Sequence, residues 1–86
     1  MATSSLLGLD IQQLLHRAEH LAGTKFPREV VEVTLEPDLN MICIRFKKPS
    51  DGELGEPAHP QVHLFKDRAT NEVTAVELLE IDKLPQ

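Results

Sequence analysis

Residues 31–46 read V-E-V-T-L-E-P-D-L-N-M-I-C-I-R-F, and this stretch decides the fold. On both sides of E-P-D-L-N, apolar and polar residues alternate, as they do in strands whose side chains point to two faces in turn. Pro37 sets φ for a turn, and Asn40 tolerates a left-handed backbone. Because proline interrupts a strand except at a sheet edge, the stretch predicts a β-hairpin. The inward residues of its first strand are expected to be Val31, Val33 and Leu35.

A second hairpin is predicted further along the chain. Residues 61–65 and 73–79 both alternate between apolar and polar side chains, and Asn71 between them suits a turn with positive φ. The two hairpins are separated by residues 47–60, which contain three prolines, two glycines and three acidic residues. This composition predicts a long exposed loop.

The N-terminal part of the chain predicts one helix over residues 10–23. Asp10 is a suitable N-cap, and apolar residues recur at helical spacing from Ile11 onward. Gly23 fits the left-handed position that ends many helices. Residues 1–9 are expected to form a lead-in that packs through its leucines.

These elements predict an α+β fold in one domain covering residues 1–86. An N-terminal helix packs on one face of an antiparallel sheet of about four strands, which two consecutive hairpins within residues 30–79 supply. The helix and the sheet each carry one apolar face, and each face needs the other for burial. A chain of 86 residues is long enough for one such core and no more.

Charge and cysteine content narrow the expected function. The net charge of −5 argues against a general nucleic-acid binder, which needs basic residues to neutralise phosphates. Weak nucleic-acid binding through Arg45, Lys47 and Lys48 is kept as an alternative. With one cysteine, no basic leader at the N-terminus and no apolar stretch of about 18 residues, the expected location is the cytoplasm rather than a membrane.

Two stretches carry a resemblance to a known family. The run L-E-P-D-L-N-M-I-C-I-R-F at 35–46 is similar to the signature Y-D-P-E-A-D-A-L-Y-I-R-L of domain of unknown function 2283, a family of small prokaryotic proteins. The run N-E-V-T-A-V-E-L-L-E at 71–80 resembles its G-R-V-V-G-I-E-I-L-D, and Lys83-Leu84 fits its close. Two departures stand out: Cys43 occupies a usually aromatic position, and 47–60 is longer and richer in proline.

The resemblance covers roughly residues 32–84. It implies a sheet-building domain that is sometimes found beside toxin-like partners, and it provides no catalytic residues to carry over.

The second face of the predicted sheet is mixed in character. It combines apolar and charged residues, which fits either a solvated face with charge pairs or a contact between two copies of the chain. The residues expected to form an interaction face are Met41, Cys43, Arg45, His63 and Phe65.

One motif points to metal chemistry. His16, Glu19 and His20 match H-x-x-E-H, in which two histidines one helical turn apart hold zinc and the glutamate activates water. The helical phase places both histidines opposite the apolar stripe, so a solvated surface is the preferred interpretation. A metal-binding hydrolase is the alternative. His59 and His63 are also four residues apart, but an extended chain does not bring them together.

Other candidate groups have simpler interpretations. Cys43 would need a base to become a nucleophile, and His63 is the conceivable cross-strand neighbour; a small buried thiol is the preferred interpretation. The carboxylates of Asp51, Glu53 and Glu56 do not follow the spacing of a calcium loop. The sequence therefore predicts a protein-interaction module without enzymatic activity or cofactor, acting as a homodimer or as the neutralising partner of a small basic protein. The family resemblance implies an antitoxin-like role for that partner.

Overall fold

The computed structural model describes residues 5–6 and 9–81, with side chains from residue 11 onward. The fold is α+β, as predicted. Strands β1 (Ser5–Leu6) and β2 (Leu9–Asp10) form a small antiparallel ribbon, and helix α1 (Ile11–Ala22) follows. The main sheet has five strands: β3 (Glu32–Glu36), β4 (Met41–Arg45), β5 (Glu53–His59), β6 (Val62–Asp67) and β7 (Val73–Leu79). Their spatial order is β3-β4-β7-β6-β5, and all neighbours are antiparallel.

Helix α1 lies within one residue of its predicted bounds. It begins directly after Asp10 and ends at Ala22. Gly23 has a φ of +72°, and the backbone N–H groups of Gly23 and Thr24 both donate to the carbonyl oxygen of Glu19, at 2.8 and 3.2 Å. These bonds satisfy a carbonyl that the end of the helix would otherwise leave unpaired.

Both predicted hairpins are confirmed. A single 3₁₀ turn (Pro37–Leu39) joins β3 to β4, and Asn40 closes it with a φ of +52°. Asn71 lies in the β6–β7 turn with a φ of +65°. The two hairpins meet along β4 and β7, so β7 lies in the middle of the sheet.

The prediction of a loop over residues 47–60 is wrong in part, because β5 lies inside it. Gly55 and Pro57 are unusual in strands, and their presence suggested a loop. In the structure β5 is an edge strand, where proline is tolerated, and a bulge separates Pro57 from His59. A Cβ on Gly55 would lie 3.5 Å from the ring of Phe65, an ordinary van der Waals distance, so the Phe65 ring packs against this glycine without requiring it.

The core lies between α1 and one face of the sheet. Helix residues Leu14, Leu15 and Ala18 pack against sheet residues that are at most 3% exposed, namely Ile42, Ile44, Phe46, Val62, Leu64, Val76 and Leu78. Phe26, in the connector after α1, is buried beside Phe46, with 5.7 Å between the ring centroids.

The expected inward position of Val31 is wrong. Val31 precedes β3 and is 58% exposed, whereas Val33 and Leu35 pack against the core. The reason is that β3 is the other edge strand, so the buried surface ends there. The lead-in over residues 1–9 contributes β1 and the start of β2. Residues 1–4, 7–8 and 82–86, including the predicted Lys83-Leu84 close, lie outside the described part.

Candidate functional site: the outer face of the sheet

The sheet face turned away from α1, called the outer face here, collects all five side chains predicted for an interaction face. The strand register aligns its residues in three rows across the sheet. The first row contains Glu32, Arg45, Ala75, Phe65 and Gly55. The second row contains Thr34, Cys43, Glu77, His63 and Pro57. The third row contains Glu36, Met41 and Leu79.

An ion pair covers the first row. Arg45 on β4 donates two hydrogen bonds to the Glu53 carboxylate on β5, at 2.8 and 3.3 Å. Three inter-strand spacings, about 14 Å, separate these strands. The two side chains therefore extend across β7 and β6 to meet. Ala75, which is fully buried although it lies on the outer face, is the small residue beneath them.

Thr74 ties the same carboxylate to the middle of the sheet. A bulge between Phe65 and Lys66 changes the register here, and the Thr74 hydroxyl bonds to Glu53 and to the carbonyl oxygen of Phe65. The hydrogen bonds from Arg45, followed by the one from Thr74, lower the pKa of Glu53. Arg45 is thus committed to an internal contact, which the sequence alone did not indicate.

The second row places a carboxylate between the cysteine and the histidine. Glu77 is the cross-strand neighbour of both Cys43 and His63, and its Oε1 lies 3.6 Å from the histidine Nδ1. His63, the conceivable cross-strand neighbour of Cys43, is not its neighbour in the structure, because β7 separates their strands. The cross-strand neighbour of the thiol on β7 is instead the Glu77 carboxylate, which is a weaker base than an imidazole.

The environment of Cys43 also disfavours the thiolate. Burial raises the pKa of the Cys43 thiol, and the negative charge of Glu77 raises it further, while Arg45 acts in the opposite direction. A nucleophilic cysteine needs the reverse arrangement, with a positive charge or a base dominating. The surroundings of Cys43 therefore favour the neutral thiol over the thiolate.

The H-x-x-E-H residues stay on the surface of α1. His16 and His20 are exposed, as the helical phase predicted. The Glu19 carboxylate accepts a hydrogen bond from the Phe26 backbone N–H at 2.7 Å and so ties the connector to the helix. Within residues 11–81, no group of three or more His, Cys, Asp or Glu side chains is placed to hold a metal ion.

The candidate nucleic-acid residues are partly engaged elsewhere. Arg45 pairs with Glu53, and Lys47 lies 2.6 Å from the carboxylate of Glu72. The acidic residues of this segment have separate partners: Glu53 pairs with Arg45, whereas Glu56 pairs with Lys66 at 2.9 Å. His59 accepts a hydrogen bond from the Gln61 backbone N–H and closes the β5–β6 turn.

Asp67 is a structurally important residue that the sequence analysis missed. Its carboxylate is 3% exposed and accepts hydrogen bonds from the backbone N–H groups of Ser50 and Ala69, at 2.9 and 2.8 Å, and from the Ser50 hydroxyl. It thereby fastens the β4–β5 connection to the β6–β7 turn. The run D-R-A-T-N at 67–71, in which Thr and Asn come three and four residues after Asp67, is the available signal of such a turn.

We expect Asp67 to make the fold sensitive to acid. The backbone N–H groups of Ser50 and Ala69 hold the pKa of Asp67 below its ordinary value of 3.8. Because the folded-state pKa is lowered, this stabilisation is present above the unfolded-state pKa and is lost as pH falls through the folded one. Thermal melts between pH 6 and about pH 2 should show a declining Tm in the wild type and a shallower decline in Asp67→Asn.

Two variants complete that comparison. Asp51→Asn removes the same charge from an exposed side chain nearby and controls for the altered net charge. Ser50→Ala keeps the backbone donor but removes the hydroxyl. The slope of its Tm against pH should therefore fall between the slopes of the wild type and Asp67→Asn. Parallel slopes for the wild type and Asp67→Asn would contradict the assignment.

The α1 helix has 12 residues, and no helix in the described part is long and apolar enough to cross a membrane. The resemblance to domain of unknown function 2283 stays a prediction from the quoted residues. Comparisons with protein-family models, with curated proteins and with solved structures found no match to this chain.

Proposed function

We propose that this chain is a non-enzymatic protein-interaction module that binds its partner through the outer face of the sheet. The observation that carries the proposal is the half-buried apolar surface of the second and third rows. Cys43, Met41 and Leu79 are each only partly buried, and α1 packs on the opposite side of the sheet. In the described part of the chain, the one α-helix lies on the opposite side of the sheet, and the ribbon of β1 and β2 contacts that helix.

The charges of this surface favour a basic partner. Glu32, Glu36 and Glu77 all lie on the outer face, and Arg45 is neutralised by Glu53. A small basic protein would complement these carboxylates, in line with an antitoxin-like role. A second copy of the chain is the alternative occupant, but stacking two acidic faces opposes like charges.

The proposal is tested with a charged substitution on each face of the sheet. Met41→Arg inserts a charge into the apolar third row, whereas Leu54→Arg changes a side chain that is 59% exposed on the opposite face of β5. We expect the wild type to form a stoichiometric complex, with a small protein of the source cell or with itself, when measured by sedimentation and affinity capture. Met41→Arg should weaken that complex by on the order of tenfold or more, because the guanidinium replaces apolar contact surface and, lying opposite Glu36, takes that carboxylate from a basic partner.

The control variant Leu54→Arg should bind as the wild type does. A wild-type chain that sediments as a monomer at all accessible concentrations and captures no stoichiometric partner would refute the proposal. Equal weakening by both substitutions would show that the outer face is not the contact.

A further inference from the structure

The two edges of the main sheet are not equivalent. At one edge, β5 contains Pro57, which has no N–H to donate, and a bulge lies between Pro57 and His59. Natural sheets use such features to prevent an edge from pairing with another strand. At the other edge, β3 pairs with β4 over five consecutive residues without a bulge. No strand in the described part of the chain pairs with its other side.

The charges of β3 oppose pairing with a second copy. Glu32, Thr34 and Glu36 are exposed on the outer face. In the antiparallel register that pairs all five residues of two β3 strands, each Glu32 lies opposite a Glu36 of the other copy. Like charges directly opposite each other destabilise a strand pair. The β3 edge is therefore unfavourable for pairing with β3 of a second copy of the chain, while its outward backbone groups can still form hydrogen bonds with a strand of different charge.

On the face of β3 that is turned towards α1, apolar side chains lie at the margin of the core. Val33 and Leu35 pack against the core but are only partly buried. An added strand with apolar residues opposite these two would continue the core by one strand. An added strand with basic residues opposite Glu32 and Glu36 would pair both carboxylates.

We propose that the β3 edge binds an extended segment of a second protein with the pattern basic–apolar–polar–apolar–basic. The segment adds to the sheet as a sixth, antiparallel strand. This inference rests on the proposed interaction function and names its partner: a basic strand rather than a second copy of the chain. Main-chain hydrogen bonds provide affinity in this mode, and the alternating side chains provide specificity.

The test uses a synthetic peptide with the core K-I-T-I-K, which places lysines opposite Glu36 and Glu32 and isoleucines opposite Leu35 and Val33. Binding is followed by changes in backbone amide NMR signals of the labelled, full-length protein. We expect the changes to concentrate on β3 and the amide exchange of β3 to slow. The matched peptide E-I-T-I-E should bind on the order of tenfold more weakly, since it opposes both carboxylates.

Charge reversal on the protein provides the reciprocal measurement. A Glu32→Lys, Glu36→Lys double variant should prefer E-I-T-I-E over K-I-T-I-K. Both positions are exposed, and the milder Glu32→Gln, Glu36→Gln pair serves if the reversed variant fails to fold. Unchanged preference in the variants would overturn the assignment of this edge.

Backbone pairing is separated from simple charge attraction by N-methylation of alternate amides in K-I-T-I-K. In an antiparallel strand, alternate amides point to the same side, so one methylation pattern blocks pairing with β3 and the other leaves it intact. We expect one of the two methylated peptides to lose binding and the other to retain it. Equal binding of both, or no binding of the unmodified peptide, would overturn the proposal.

The two proposals fail in different ways. If Met41→Arg weakens partner capture but the peptide does not bind at β3, the strand-addition inference is rejected and the proposed function is retained. If the peptide binds at β3 but Met41→Arg does not change partner capture, the outer-face contact is rejected instead.

Discussion

Replacing Leu78 by alanine is expected to lower the free energy of unfolding by about 3–4 kcal/mol. Leu78 lies on the central strand β7, is fully buried, and has Ile42 and Val62 as its cross-strand neighbours, both also fully buried. The cost of such a substitution grows with the cavity that remains, and neighbours held in a strand ladder have little freedom to close it. For a domain whose total stability is about 5–10 kcal/mol, this is a large fraction.

The measurement is urea or guanidinium unfolding followed by circular dichroism, since the chain has no Trp or Tyr. Leu54→Ala is the matched control: the same substitution is made at a side chain that is 59% exposed on β5, and the expected change is within about 0.5 kcal/mol. Equal losses at the two positions would mean that the core is not arranged as described.

Replacing Glu53 by alanine is expected to cost about 2–3 kcal/mol, although Glu53 lies on an edge strand. Its carboxylate accepts hydrogen bonds from Arg45 and Thr74, and its side chain is only 18% exposed. Removing it takes the carboxylate from the Arg45 guanidinium, which keeps only the Lys47 carbonyl oxygen among the acceptors described, and leaves the Thr74 hydroxyl with the carbonyl oxygen of Phe65. Losing one partner of a shielded charge pair costs more than the net contribution of the pair itself.

Glu56 on the same strand offers a close comparison. It pairs with Lys66 at 2.9 Å, nearly the same distance as the Arg45–Glu53 contact, but its side chain is 54% exposed. Glu56→Ala should therefore change stability by about 0.5 kcal/mol or less, because water already screens the pair. Double-mutant cycles should show coupling between Arg45 and Glu53 that clearly exceeds the coupling between Lys66 and Glu56. Similar coupling in both cycles would contradict the conclusion that the Arg45–Glu53 contact stabilises the fold more than the Lys66–Glu56 contact does.

The outer face thus has two parts with different roles. The first row is stabilised by an internal ion pair, because Arg45 and Glu53 meet above Ala75. The second and third rows contain partly buried apolar and acidic side chains, which are the ones that we propose contact a partner. A substitution such as Arg45→Ala should therefore act mainly on stability, whereas Met41→Arg should act mainly on binding.

The candidate site was only partly predictable. Alternation correctly assigned Met41, Cys43, Arg45, His63 and Phe65 to one face, because a period of two is a local property of a strand. Which of these residues touch was not predictable, because contact depends on strand order. The placement of β7 between β4 and β6 separates Cys43 from His63 and positions Glu77 between them.

The sequence by itself determined the elements that local chemistry specifies: the α1 bounds through Gly23, the two hairpins through Asn40 and Asn71, and the inward faces of their strands. The tertiary structure decided what distant residues contribute. Strand β5 exists in spite of Gly55 and Pro57 because an edge position tolerates both and β6 provides its pairing partner. A local pattern can indicate the turn in which Asp67 binds Ala69, but the contacts of Asp67 with Ser50 and of Glu53 with Thr74 join residues that are remote in the chain, and no local pattern identifies them. Local signals specify backbone conformation, whereas strand order and long-range hydrogen bonds emerge only when the whole sheet assembles.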